Sequence, residues 1–136
     1  MCVCLLAVSV ILGILIPQKT INDIGEALEK QQPYIESLSE TPTTEEVKLA
    51  VVSVATLYGL DKDLLLSVVN CESSFRYQVY GDNGKAFSVA QFHKPTFDQF
   101  CEGNYYSAKD QLMCMGKMFK DGYARHWSCY KNLTSK

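Results

Sequence analysis

Residues 61–75 read DKDLLLSVVNCESSF, and their spacing decides how the chain is organised. Leu64, Leu65, Val68, Val69 and Glu72 recur at helical intervals, so one helix face carries four aliphatic side chains and ends in a carboxylate. Asp61 is placed to cap this helix at its start. A carboxyl group on an apolar stripe is partly desolvated, and desolvation favours the protonated acid. That is the form a general acid needs to protonate a glycosidic oxygen. The same spacing also fits a structural Glu at a helix end, accepting hydrogen bonds from local backbone or from Ser73 and Ser74.

The neighbouring segments extend a helical pattern on both sides. Upstream, Val47, Ala50, Val51, Val54, Ala55 and Tyr58 repeat at helical spacing. Thr43 and Glu46 make a capping box in front of them, and Gly59 closes the helix behind. Downstream, residues 77–92 read YQVYGDNGKAFSVAQF, aromatic and β-branched residues around a DNG turn, which predicts a β-hairpin. Pro95 is placed to open a helix over 95–103. Ser107 and Asp110 make a second capping box for residues 108–122, and Gly122 ends that helix. The tail 123–133, YARHWSCYKNL, reads as a short packed segment. The expected class is α+β: mostly helical, with a small β-hairpin insert.

The chain has 136 residues, one domain's worth. Its 47% hydrophobic and 21% charged content excludes a wholly disordered, collagen-like or low-complexity chain. A net charge of -2 argues against a dedicated nucleic-acid binder. That total hides an asymmetry. Residues 20–70 carry nine acids and three bases, a net -6, whereas residues 71–136 carry six acids and nine bases, a net +3.

Residues 2–16, CVCLLAVSVILGILI, form an uncharged apolar run that ends before Pro17. It is shorter than the roughly 20 residues a comfortable membrane span needs and has the length of a signal-peptide core. No Lys or Arg precedes it. Residues 1–19 are therefore expected to act as a signal peptide or an uncleaved membrane anchor, and the chain to be exported, either membrane-anchored or secreted. Residues 20–42 read as an acidic helix or spacer, interrupted at Pro33. The globular domain is expected over 43–136.

Six cysteines stand at 2, 4, 71, 101, 114 and 129. Four in a domain of about 90 residues fit an oxidising compartment and a small core that needs cross-links. Four cysteines allow three pairings. The favoured one joins Cys101 to Cys114 across a Gly-bearing loop, leaving Cys71 for Cys129. Zinc is disfavoured because the domain lacks CxxC, and His93 and His126 stand alone. A nucleophilic Cys71 would need a histidine partner.

Taken together, CESSF at 71–75, GDNGKAFSVAQF at 81–92 and Pro95-Thr96 resemble the lysozyme-like lytic transglycosylase family. Glu72-Ser73 matches the catalytic pair, Phe75 the apolar residue after it, Ser88-Val89-Ala90-Gln91 the Gly-x-x-Gln position, and Pro95-Thr96 a helix start. The resemblance covers roughly residues 45–130. It implies a lysozyme-like fold that cleaves the β-1,4 bond between N-acetylmuramic acid and N-acetylglucosamine in peptidoglycan, without metal or organic cofactor. Glu72 would protonate the leaving oxygen and then deprotonate the muramoyl 6-hydroxyl, giving a 1,6-anhydro product. Ser73 would touch substrate or orient the site, and Gln91 would line the cleft. Phe92, Tyr105, Tyr106 and Tyr130 are candidate sugar-stacking residues. The chain departs from the pattern at Ser88, where the family has Gly, and at Ala90, where a larger residue is usual. If position 88 needs a positive φ, Ser is strained there.

Asp82 is a candidate second carboxylate. About 5 Å from Glu72 it would point to retaining hydrolysis, and at about 6.5–9.5 Å to inversion. As a turn residue it would instead cap its own backbone. A hydrolytic muramidase of the same fold and a non-catalytic glycan-binding module are thus the alternatives. The expected partners are a peptidoglycan strand and, if the leader stays, a membrane, with no nucleic acid. A secretion, conjugation or phage apparatus is a further candidate setting.

Overall fold

The computed structural model describes Pro17 and residues 34–135. The leader at 1–19, apart from Pro17, and most of the acidic segment lie outside the described residues. Among the described residues no helix is long and apolar enough to cross a membrane.

Among the described residues the domain is built from α1 (Thr44–Tyr58), α2 (Lys62–Ser73), β1 (Tyr80–Gly81), β2 (Ala86–Phe87), β3 (Phe92–His93), α3 (Lys94–Phe100), α4 (Ala108–Lys120) and α5 (Ser128–Thr134). The class is mostly helical α+β. Helix α1 starts with a complete capping box: Thr43 Oγ1 accepts from Glu46 N–H, and the Glu46 carboxylate accepts from Thr43 N–H. It ends at Gly59 in the left-handed region, at φ 67°. Asp61 caps α2 by accepting from the N–H groups of Asp63 and Leu64, each at 2.9 Å. The second capping box is only half made. Ser107 Oγ accepts from Asp110 N–H at 3.1 Å, but the Asp110 carboxylate accepts from Asn104 N–H at 2.7 Å instead of reaching back to Ser107.

Helices α1, α2 and α4 enclose the core. Val47, Val51, Val54, Leu65, Val68, Val69, Leu112 and Met115 fill it. Gly116 lets α4 lie directly against α1, because a Cβ there would overlap the side chains of Val54 and Tyr58. Ile35 and Pro42 are also buried, and Lys109 pairs with Glu36. The end of the 20–42 segment therefore packs onto the domain rather than leading freely into it.

Where a hairpin was expected, three antiparallel strands form in the order β1-β2-β3. Tyr80 faces Phe87 and Gly81 faces Ala86, then Ala86 faces His93 and Phe87 faces Phe92. The first connection is the DNG turn, with Asp82, Asn83 and Gly84 at φ 46°, 55° and 86°. The second, at 88–91, holds no glycine and so gave no turn signal. Ser88 and Gln91 take its left-handed positions, at φ 66° and 51°.

Both favoured cysteine pairs are bonded, Cys71 to Cys129 and Cys101 to Cys114. Their sequence separations are 58 and 13 residues. Restriction of the unfolded chain is worth about 4 kcal/mol for the longer loop and about 3 kcal/mol for the shorter.

Ser88 is fully buried, and its Oγ has no hydrogen-bond partner. Left-handed backbone costs a residue with Cβ about 1–2 kcal/mol, and an unpaired buried hydroxyl about 1–3 kcal/mol. Glycine removes both penalties and gives back about 1 kcal/mol in unfolded-chain entropy. Ser88→Gly is expected to stabilise the domain by about 1–2 kcal/mol in urea unfolding. Ser88→Ala, which removes only the hydroxyl, should gain less than Ser88→Gly. A destabilised Ser88→Gly would contradict this account of the turn.

Candidate functional site

Helix α2 runs its apolar face through the core and delivers Glu72 at its last turn, where the core opens to a cleft. Directly after it, Ser74 and Phe75 are both left-handed, at φ 52° and 58°. That double reversal buries the Phe75 ring and turns the chain toward the sheet. Among the described residues, all six non-glycine residues with positive φ fall between 74 and 91. The strained backbone is thus confined to the end of α2 and the two turns of the sheet, the stretch that carries Glu72, Asp82 and Gln91.

The cleft has a volume of about 480 Å³. Glu72 lines it together with Gly81, Asp82 and Ala86 from the hairpin, Gln91 to His93 from the second turn and β3, Thr96 from α3, and His126 to Ser128 from the tail. Glu72 is half-buried. Its Oε1 accepts from Cys129 N–H at 3.2 Å, near the start of α5, a helix whose N-cap residue makes no side-chain cap. Burial pushes the Glu72 carboxyl above the usual carboxylate range, and the Cys129 N–H offsets part of that rise.

Gln91 also faces the cleft. Its Nε2 donates to Ser88 O at 2.7 Å and to Val79 O at 3.1 Å, which fixes the amide across the mouth of the turn. Gly81 makes room for it, since a Cβ at position 81 would overlap Gln91 Oε1. Asp82 sits on the same wall. Its Oδ2 meets His93 Nε2 at 2.9 Å, so the side chain turns to β3 rather than to its own backbone.

Of the other candidates, Phe92 alone borders the cleft. It is a core residue, packed edge-to-face on Phe97 and Trp127 at 5.5 and 5.2 Å between ring centroids. Ser73 is buried away from the cleft, and its hydroxyl serves Val89 O at 2.8 Å and Val69 O at 3.1 Å. Tyr105 is buried too and donates to Phe92 O at 2.8 Å. Tyr106 is exposed and stands against Phe87, outside the residues lining this cleft. Tyr130 packs on Phe119.

Sequence reasoning passed over His93, His126, Trp127, Ser128 and Thr96 as cleft residues. His93 could have been found, because it directly follows Gln91-Phe92 in the stretch already singled out. The 126–128 segment had no such signal, since it reaches the cleft through a fold-back spanning more than 50 residues. Trp127 closes the floor: its Nε1 donates to Ala90 O at 2.8 Å. His126 packs edge-on against Phe100, 5.4 Å between ring centroids. Among the described residues no group of three or more His, Cys, Asp or Glu is placed to hold a metal ion.

No protein-family model, curated protein or solved structure matches this chain. The site's chemistry therefore has to be argued from its own geometry. That geometry offers one carboxyl biased toward its protonated form, a fixed amide, and a carboxylate–imidazole pair, all bordering one cleft.

Because the folded-state pKa of Glu72 lies above its unfolded value, the native state binds this proton more tightly than the unfolded chain does. The group's contribution is most favourable below the ordinary carboxylate pKa and is lost as pH rises through the raised value. Glu72→Gln keeps an acceptor for Cys129 N–H and never ionises. It is expected to melt above the wild type at neutral pH, with the gap closing as pH falls toward about 4. A Tm gap that stays constant across this range, or reverses, would show that the carboxyl is not disfavoured as an anion.

Proposed function

We propose that this chain is an exported, lysozyme-like lytic transglycosylase that cleaves the β-1,4 bond between N-acetylmuramic acid and N-acetylglucosamine in peptidoglycan. One observation carries the reading: a half-buried Glu72, its carboxyl pushed up by desolvation, opens onto a cleft whose facing wall holds Gln91. Such a carboxyl can start the reaction as an acid and continue it as a base.

In the first half, Glu72 gives its proton to the glycosidic oxygen as the bond to the muramoyl C1 breaks, and the glucosaminyl 4-hydroxyl leaves. In the second half, the Glu72 carboxylate takes the proton of the muramoyl 6-hydroxyl while that oxygen bonds to C1. The ring closes to a 1,6-anhydro sugar and Glu72 ends protonated, ready for another cycle. Internal capture is favoured because the 6-hydroxyl is already held beside C1. Gln91 is suited to holding an N-acetyl group or setting the Glu72 rotamer.

Hydrolysis is the second reading, and the position of Asp82 favours it, since a second carboxylate borders the same cleft. In that case water replaces the 6-hydroxyl and the product keeps a reducing end. Disulfide bonding in the domain agrees with an extracytoplasmic setting. An anchored form working near the membrane, beside a secretion, conjugation or phage apparatus, belongs to the same proposal.

Incubation with purified sacculi, followed by mass spectrometry of the released fragments, tests the reading. Wild-type protein is expected to release anhydromuropeptides, and Glu72→Gln to lose at least about 100-fold in rate while keeping its far-UV circular dichroism. Products heavier by one water select the hydrolase. Undiminished release by Glu72→Gln overturns both, and binding of glycan without any cleavage selects a non-catalytic module.

A further inference from the structure

The two disulfides sit in different surroundings. Cys101–Cys114 ties the end of α3 to α4, with Cys114 buried. Cys71–Cys129 joins the residue before Glu72 to the residue whose N–H that carboxylate accepts. Cys71 is exposed and Cys129 is buried. One covalent bond therefore brackets the Glu72 carboxyl from both sides.

The same bond anchors the cleft's third wall. His126, Trp127 and Ser128 all line the cleft and lie within three residues of Cys129. Cys129 lies in the first turn of α5, which reaches the rest of the fold mainly through α2 and the turn before it. Trp127 in turn holds Ala90 O in the buried turn behind Gln91. Position 129 is thus the point where Glu72, the tail wall and the floor of the cleft are fastened together.

We propose that the Cys71–Cys129 disulfide is a positioning element of the candidate site, which is completed only when this bond closes. The proposal rests on the glycosidase reading for its catalytic consequence, but not for its structural one. Closure converts two thiols into one disulfide. Two electrons and two protons pass to an incoming disulfide oxidant, small-molecule or protein-borne, by thiol–disulfide exchange. The site is therefore incomplete in a reducing compartment and assembled in an oxidising one. Each disulfide has one buried half, Cys129 or Cys114, so place rather than exposure separates them: Cys101 and Cys114 lie away from the residues lining the cleft.

The test compares Cys71→Ser/Cys129→Ser with Cys101→Ser/Cys114→Ser and wild type, at a temperature where far-UV circular dichroism shows the control pair variant folded. Three quantities are read: kcat/KM on sacculi, the titration midpoint of the Glu72 carboxyl by carbon NMR, and emission from Trp127, the chain's single tryptophan. Loss of the 71–129 bond is expected to lower kcat/KM at least tenfold, move the Glu72 midpoint and change the Trp127 emission. The 101–114 variant should stay within about twofold of wild type, with the Glu72 midpoint in place. Should the serine pair not fold, wild-type protein treated with a dithiol in the cold, with free thiols mapped by alkylation, gives the same comparison. A Glu72 midpoint and Trp127 emission unchanged by opening the bond overturn the proposal, and so does equal damage from opening either disulfide. Collapse of the whole fold under both treatments also overturns it, because the bond is then a general staple. If oxidised wild type cleaves no glycan, the glycosidase reading falls, while the midpoint and emission still decide the positioning role.

Discussion

Residues 88–91 turn inside the protein, and the site depends on how their peptide groups are satisfied. Ser88, Val89 and Ala90 are fully buried, so water cannot serve their N–H and C=O groups. Side chains from three distant elements do so instead. Ser73 at the end of α2 donates to Val89 O, Trp127 from the tail donates to Ala90 O, and Gln111 from α4 accepts from Ala90 N–H at 3.4 Å while donating to Tyr105 O at 2.7 Å. A loop left unsatisfied there would cost about 1–3 kcal/mol per orphaned group. Those bonds tie the turn to α2, to α4 and to the tail, and the turn leads directly into β3 on the cleft. Among the buried side-chain nitrogens and oxygens of the described residues, Ser88 Oγ is left without a partner.

This arrangement separates two jobs that adjacent residues perform. Glu72 and Ser73 are neighbours, yet helical geometry turns Glu72 to the cleft and Ser73 into the core. Gln91 and Phe92 divide likewise, with the amide fixed at the cleft and the ring packed below it. The carboxyl is kept partly out of water by the helix it rides on, and a single N–H from the tail holds it. Its raised proton affinity follows from the burial, and the N–H, which favours the anion, offsets part of the rise. The basic balance of residues 71–136 is not concentrated on the lining of this opening, which carries Glu72 and Asp82 but neither Lys nor Arg.

Much of the scaffold was legible in the sequence because its signals are local. Thr43 with Glu46, Gly59, Asp61 and Ser107 each act within one turn of a helix, where spacing alone sets the geometry. The 107–110 box was only half right because the Asp110 carboxylate found a nearer donor in Asn104 N–H, a choice made by the loop and not by the spacing. The third strand was missed for a similar reason. Serine and glutamine occupy left-handed positions there that glycine or asparagine usually announce, and burial compels the conformation. The aromatic residues show the limit most clearly: Tyr105 and Tyr106 are adjacent in sequence, yet one is buried with its hydroxyl bonded and the other faces solvent.

By itself the sequence determined the helical α+β class, most of the caps, the favoured cysteine pairs and the place of Glu72 at the end of an apolar helix face, because each rests on spacing or on a side chain's own chemistry. Only the tertiary structure decided that Glu72, Gln91, Asp82, His93 and the 126–128 segment share one opening, and that Ser73, Tyr105, Tyr106 and Tyr130 do not. It also decided that Cys129 serves Glu72 through its backbone as well as its sulfur. The reason is physical. A cleft is made by elements far apart in the chain, and their approach is set by the packing of α1, α2 and α4 and by the hydrogen bonds a buried turn demands.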